Sequence, residues 1–210
     1  YEGGVITSRD AKKACAFCST SGPIFMIGTI GGAIFHDTRV GWIVLCSHYL
    51  GAIVNGLLYR KKADAQPTVH TLAANDVDGI LSKVVAKATV NMLYVGGYIV
   101  ICGMLVDTLA LVGLNNALAA LPSTLAQTIE ALTYGLIEMT RGGIACAKID
   151  NLQLATSVVC GIVSLGGLSV TLQNYTFLSK AGVGFFEMIL RKITQCIISA
   201  LLAYIIGFSL

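Results

Sequence analysis

NLQLATSVVCGIVSLGGLSVTLQNYTFLS, residues 151–179, runs for 29 positions without an Asp, Glu, Lys or Arg. A helix needs roughly 17 to 25 apolar residues to cross about 30 Å of hydrocarbon, so this stretch is long enough to span a bilayer. It is not uniform, however. Gly166-Gly167 interrupts it, and Ser169, Thr171, Gln173 and Asn174 follow the interruption. Working outward, uncharged runs recur at 14–35, 40–59, 88–106, 108–129 and 193–210. Six such runs in one chain make lipid the solvent for this fold and predict an all-α polytopic membrane protein.

Composition leads to the same class. Of 210 residues, 55% are hydrophobic and only 12% are charged, and the mean hydropathy is +0.78; soluble domains carry about 25% charged residues. The length suits one membrane domain, 1–210. The chain begins at Tyr1 rather than Met and has no charged leader with a cleavage site, which reads as a cut inside a longer protein. A net charge of +3 is too small to argue for nucleic acid.

The charges collect between the apolar runs: Arg9, Lys12 and Lys13; Arg60, Lys61 and Lys62; Arg141 and Lys148; Arg191 and Lys192. The positive-inside rule puts all four clusters in the cytoplasm. That requires a crossing by residue 36, a return over 40–59, a cytoplasmic loop at 61–78 and a crossing to about 116. The next segment must then come back, and 151–179 must leave and return, as a re-entrant or broken segment. From Val77, the apolar residues Val77, Ile80, Leu81, Val84, Val85 and Ala88 recur at helical spacing with Lys83 and Lys87 opposite, which predicts an amphipathic interfacial helix over 77–90.

Twenty-three glycines, about 11% of the chain against a norm of about 7%, support broken helices. Gly22-Pro23, Gly28, Gly31-Gly32, Gly96-Gly97, Gly142-Gly143 and Gly166-Gly167 lie in or beside apolar runs. Backbone freed there survives at membrane depth only if it is buried in protein or lines a wet cavity. For Gly96-Gly97, close helix packing is the preferred reading. Two sites also carry hydroxyls: Ser19-Thr20-Ser21-Gly22 and the stretch from Gly167 through Ser169 to Gln173 and Asn174. Half-helix ends of this kind present N–H groups and the positive end of the helix dipole to an anion, and paired interruptions point to a transporter's midplane site. Kinked helices in which Ser and Thr merely satisfy carbonyls are the alternative.

Ionisable groups within apolar surroundings usually face a cavity. Glu130, Tyr134 and Glu138 recur at intervals of four, which puts them on one helix face, and Arg141 lies within pairing reach of Glu138. They are read as a charged lining of a solute path, or as a pair closing the helix end. His48 and Glu130 are candidate coupling groups; for His48 a hydrogen bond to a neighbouring helix is the alternative. Asp107 reads as the end of a helix near the outer interface, with a pathway acid as the alternative. The seven cysteines suit small buried hydrophobes, and Cys15-x-x-Cys18 lacks partners at zinc spacing, so no metal or other cofactor is expected. Nucleotide-binding loops, GxSxG elbows and HExxH patterns are lacking, and no enzyme activity is expected.

Four stretches, read in order, carry a resemblance: Ser19-Thr20-Ser21-Gly22-Pro23-Ile24-Phe25-Met26-Ile27-Gly28, Ser47-His48-Tyr49-Leu50-Gly51-Ala52-Ile53-Val54-Asn55-Gly56-Leu57-Leu58, Gly135-Leu136-Ile137-Glu138-Met139-Thr140-Arg141-Gly142 and Gly166-Gly167-Leu168-Ser169-Val170-Thr171-Leu172-Gln173. The chain resembles the C-terminal half of the sporulation integral membrane protein YlbJ (SpoVV) family. That resemblance implies a nucleoside-recognition or Gate domain, half of a body similar to concentrative nucleoside transporters, with about five to seven transmembrane or re-entrant helices and glycine-broken half-helices. It further implies transport of a small anionic solute, dipicolinic acid, across the outer forespore membrane during sporulation. Departures from the family pattern fall at Arg141, Thr171 and Leu172. The partners expected are the lipid bilayer, the dipicolinate anion, the N-terminal half of the same protein and, in a homo-oligomer, further copies of the chain. The substrate-binding set read here is Ser19, Thr20, Ser21, Gly22, Glu138, Arg141, Gly167, Ser169, Gln173 and Asn174. A non-transporting membrane scaffold and a carrier of nucleoside-like solutes are the alternative functions.

Overall fold

The computed structural model describes residues 14, 17–60 and 80–209. The 61–78 loop, and the first residues of the 77–90 helix, lie outside the described residues. The described chain is helical: α1 (Phe25–Ile34), α2 (Thr38–Leu58), α3 (Ile80–Val112), α4 (Leu114–Leu118), α5 (Ser123–Ile137), α6 (Met139–Cys146), α7 (Leu152–Leu165), α8 (Gly167–Leu178) and α9 (Phe185–Ile206). Among the described residues, four spans are long and apolar enough to cross a membrane: Thr38–Leu58, Leu81–Val112, Leu152–Leu178 and Phe185–Ile206. The shorter apolar Phe25–Ile34 accompanies them.

Among the described residues, polar groups are buried alongside an apolar core, while large apolar side chains cover the outside. Ser47, His48, Asn55, Thr156, Ser164, Ser169, Gln195 and Ser199 are buried, while Leu50, Ile53, Val54, Leu57, Leu190, Ile193, Ile197 and Leu201 are exposed. A bilayer solvates the second group as well as a protein interior would, so these side chains need no protein cover. An apolar core that includes Met26, Ile30, Val40, Val44, Val159 and Cys160 joins α1, α2 and α7.

α1 is wound as a π-helix and ends with the Phe35 N–H bonded to the Ile30 carbonyl at 2.9 Å. Windings of this kind are rare and concentrate at functional sites. The turn at His36 reverses the chain, and Asp37 caps α2 by accepting the Arg39 N–H at 2.9 Å. The Arg39 guanidinium, hydrogen-bonded to the same carboxyl, holds Asp37 below the ordinary aspartate range. α1 lies against α2 so closely that a Cβ on Gly31 would stand 2.8 Å from the Gly41 backbone.

Three sequence expectations are corrected. Residues 108–129 are not one crossing: Gly113, at φ +96, ends α3, and Pro122 precedes a new helix. The helical hairpin is α5–α6, not 151–179, because Glu138 adopts an extended conformation and α6 folds back along α5. Gly142 approaches Gly135 and Ala131 at backbone distance, which only a missing side chain permits. Residues 152–178 are a broken span, as one of the two readings of that stretch had it, and not a hairpin. Gly166 at φ +83 and Gly167 at φ +63 turn the chain, so that α7 packs on α9 while α8 packs on α3. Arg191 and Lys192, finally, do not precede the last span; α9 starts at Phe185, and both are buried within it.

Residues 80–90 are helical and continue unbroken into the α3 span. A Cβ at Gly96 or Gly97 would meet nothing within 4 Å, so close packing is not the reason for that pair among the described residues.

Candidate functional site

Three interruptions of helical backbone meet in the interior. Residues 19–22 are non-helical before α1, Glu138 separates α5 from α6, and Gly166-Gly167 separates α7 from α8. Each interruption frees main-chain groups that lipid cannot satisfy, and side chains of α2 and α9 reach several of them.

His48 links the first interruption to the third. Its Nε2 accepts the Ser21 N–H at 3.1 Å, and its Nδ1 lies 2.8 Å from Ser164 Oγ. A nitrogen that accepts an N–H carries no proton, so the ring is neutral and Nδ1 donates to Ser164. The Tyr49 hydroxyl donates to the Ser21 carbonyl at 3.2 Å, which fixes the same residue from its other side. Ser21 Oγ faces the Met139 sulfur, at 3.9 Å, across from the hairpin tip.

Lys192 performs the second linkage. Its ammonium donates to the Ser19 carbonyl, to the Ser164 carbonyl at 3.4 Å and to Gln195 Oε1 at 3.4 Å. On the α8 side, Asn174 Nδ2 donates to Ser19 Oγ at 2.6 Å, and Gln173 Nε2 to Ser169 Oγ at 3.2 Å. Thr171 Oγ1 returns to the Gly167 carbonyl at 2.6 Å, as a helical threonine commonly does. The hairpin tip closes the third side: a Cβ on Gly167 would stand 2.6 Å from the Gly135 carbonyl oxygen.

The sequence-derived residues thus divide. Ser19, Ser21, His48, Gly167, Ser169, Gln173 and Asn174 lie on the elements that converge; Thr20 is half-buried beside them, and Gly22 is exposed. Glu138 is buried at the tip, but it does not share a helical face with Glu130 and Tyr134, because the helix has ended. Its carboxylate caps α6 by accepting the Arg141 N–H at 2.8 Å. The Arg141 guanidinium turns away to Asp107 at 3.0 Å, and Glu130 pairs with Lys148 at 2.9 Å near the open end of the hairpin.

Sequence reasoning missed Lys192 and Gln195. Arg191 and Lys192 read as a surface cluster because they precede the uncharged run 193–210. The signal lay upstream, where Phe185-Phe186 and Met188-Ile189-Leu190 continue the apolar sequence across the charges. Arg191 is held there by Glu187 at 2.6 Å and by the Tyr59 ring, 5.0 Å from its guanidinium carbon.

Apolar spans outside, polar groups inside, and broken or re-entrant helices meeting at a buried centre define a polytopic helical membrane protein. Comparison with curated proteins bears out the resemblance read from the motifs. The chain is similar to sporulation integral membrane protein YlbJ of Bacillus subtilis (strain 168), at 24% identity over an alignment of 225 positions covering 93% of this chain. It spans about half of that relative, 55% of its length. No protein-family model matches the chain, and no solved structure matches it.

Proposed function

We propose that this chain forms the solute-binding part of an integral membrane transporter that moves a small anion without altering it chemically, dipicolinate across the outer forespore membrane being the solute that fits the resemblance. The observation that carries the reading is the meeting of three chain breaks around Ser19, Ser21, Ser169, Gln173 and Asn174, with the Lys192 cation buried beside them. Amide side chains and a buried positive charge in a low-dielectric interior favour a solute bearing carboxylates. Dipicolinate offers two carboxylates and a ring nitrogen, which Ser, Asn and Gln side chains suit.

The test is uptake of labelled dipicolinate into vesicles carrying the full-length protein, with nucleosides as competitors. Ser21→Ala and Gln173→Ala are expected to lower uptake about tenfold each, the equivalent of about 1.4 kcal/mol, with insertion unchanged. Uptake competed away by nucleosides would move the reading to a nucleoside-like solute. A correctly inserted protein that takes up neither would favour a membrane scaffold.

A further inference from the structure

Away from the solute centre, α4 and the first turns of α5 form a cavity of about 300 Å³. Leu118, Leu121 and Ala126 give it apolar walls, and Ser123, Gln127 and Glu130 give it a polar end. Its polar atoms are short of donors. Gln127 Oε1 is buried and accepts no hydrogen bond among the described residues, a state that is costly unless a ligand supplies a donor. The Glu130 carboxylate is turned inward, 13% exposed, and accepts from the Lys148 ammonium through Oε1 at 2.9 Å. Among the described residues no donor meets its Oε2, while Lys148 is 56% exposed and open to a further partner.

The depth of the cavity narrows the choice of ligand. The hairpin tip faces Ser21, which His48 holds at the middle of the α2 span, so the tip marks mid-bilayer depth. Glu130 lies eight residues before Glu138; eight helical residues rise about 12 Å, which reaches the edge of a hydrocarbon layer about 30 Å thick. We propose that this cavity binds the headgroup of an aminophospholipid, a phosphoethanolamine zwitterion. Its primary ammonium donates to Gln127 Oε1 and Glu130 Oε2, its phosphate meets Lys148, and its acyl chains leave along the apolar wall at Leu118 and Leu121. A zwitterion matches the adjacent Glu130 and Lys148 charges, whereas a purely anionic headgroup would face two acceptors. A choline headgroup has no N–H to give Gln127.

The experiment follows the Tm of the full-length protein in neutral detergent during titration with dioctanoyl phosphatidylethanolamine, its N-methyl and N,N-dimethyl forms, and dioctanoyl phosphatidylcholine. The ethanolamine lipid should raise Tm by several degrees, saturably, and the rise should shrink with each N–H lost, to none with choline. Gln127→Leu, which fills the space without an acceptor, should lose the response while keeping its Tm in detergent alone. Glu130→Gln, which keeps an oxygen but not the charge, should raise the half-saturating concentration about tenfold. Equal shifts with ethanolamine and choline lipids, or a full ethanolamine response in Gln127→Leu, would overturn the proposal. An equal shift with soluble phosphoethanolamine at the same concentration would overturn the lipid as occupant. If Gln127→Leu does not fold, the methylation series on the unchanged protein decides. Uptake is not measured in any of these titrations, so failure of the transport reading would leave the headgroup site standing.

Discussion

His48 and Arg141 show how differently two polar residues in apolar sequence fare. His48 is buried, and each ring nitrogen serves a group that a chain break has left in need, the Ser21 N–H and the Ser164 hydroxyl. Replacing it with Ala strands both, so His48→Ala should cost about 1–3 kcal/mol and lower the Tm in detergent. The Arg141 guanidinium is half exposed and pairs with a half-exposed Asp107. Such pairs contribute at most about 1 kcal/mol, so Arg141→Ala should leave both Tm and vesicle uptake close to unchanged. A large loss of uptake in that variant would return Arg141 to the solute site. The sequence placed His48 correctly as a polar group within a span, and it drew Arg141 toward Glu138. Their spacing in the chain was right for a pair, but the extended Glu138 backbone left only the Arg141 N–H in reach.

The α5–α6 hairpin depends on two glycines at its waist. Gly142 approaches the Gly135 backbone where no side chain fits, and Gly167 at φ +63 abuts the Gly135 carbonyl. Gly142→Ala and Gly167→Ala should each cost about 1–3 kcal/mol or more, seen as a lowered Tm, because backbone rather than a flexible side chain must move. Gly96→Ala and Gly97→Ala are the controls: in open space within a helix they should be neutral or stabilise by up to about 1 kcal/mol. That chain breaks exist was legible from glycine clusters in apolar runs. Which break makes a hairpin and which bends a span was not, since both need the same residues locally. The difference lies in whether the next segment finds a partner on its own hairpin leg, as α6 does on α5, or elsewhere, as α8 does on α3.

At the scale of the molecule, the outer surface is set by lipid. α3 is exposed along most of its length, with only Cys102 and Val106 deeply buried. An arginine at outward-facing Ile99 should therefore raise the cost of insertion by about 2.5–3.5 kcal/mol, read as a lower fraction of inserted chains in a glycosylation-mapping assay. Lys192, charged within its own span, is buried instead and donates to Ser19, Ser164 and Gln195 oxygens, which offset part of that cost.

The sequence alone determined the solvent, the all-helical class, the glycine breaks and most of the residues that meet at the centre, because these follow from local hydropathy and backbone freedom. Tertiary structure decided that the hairpin is α5–α6, that 152–178 is a bent span, and that Lys192 is interior. The physical reason is distance along the chain. Ser19 and Lys192 stand 173 residues apart, and Ser164 lies 116 from His48. No window of sequence holds both partners, and a charged residue in apolar sequence is a surface group or a buried one only once its oxygens have arrived.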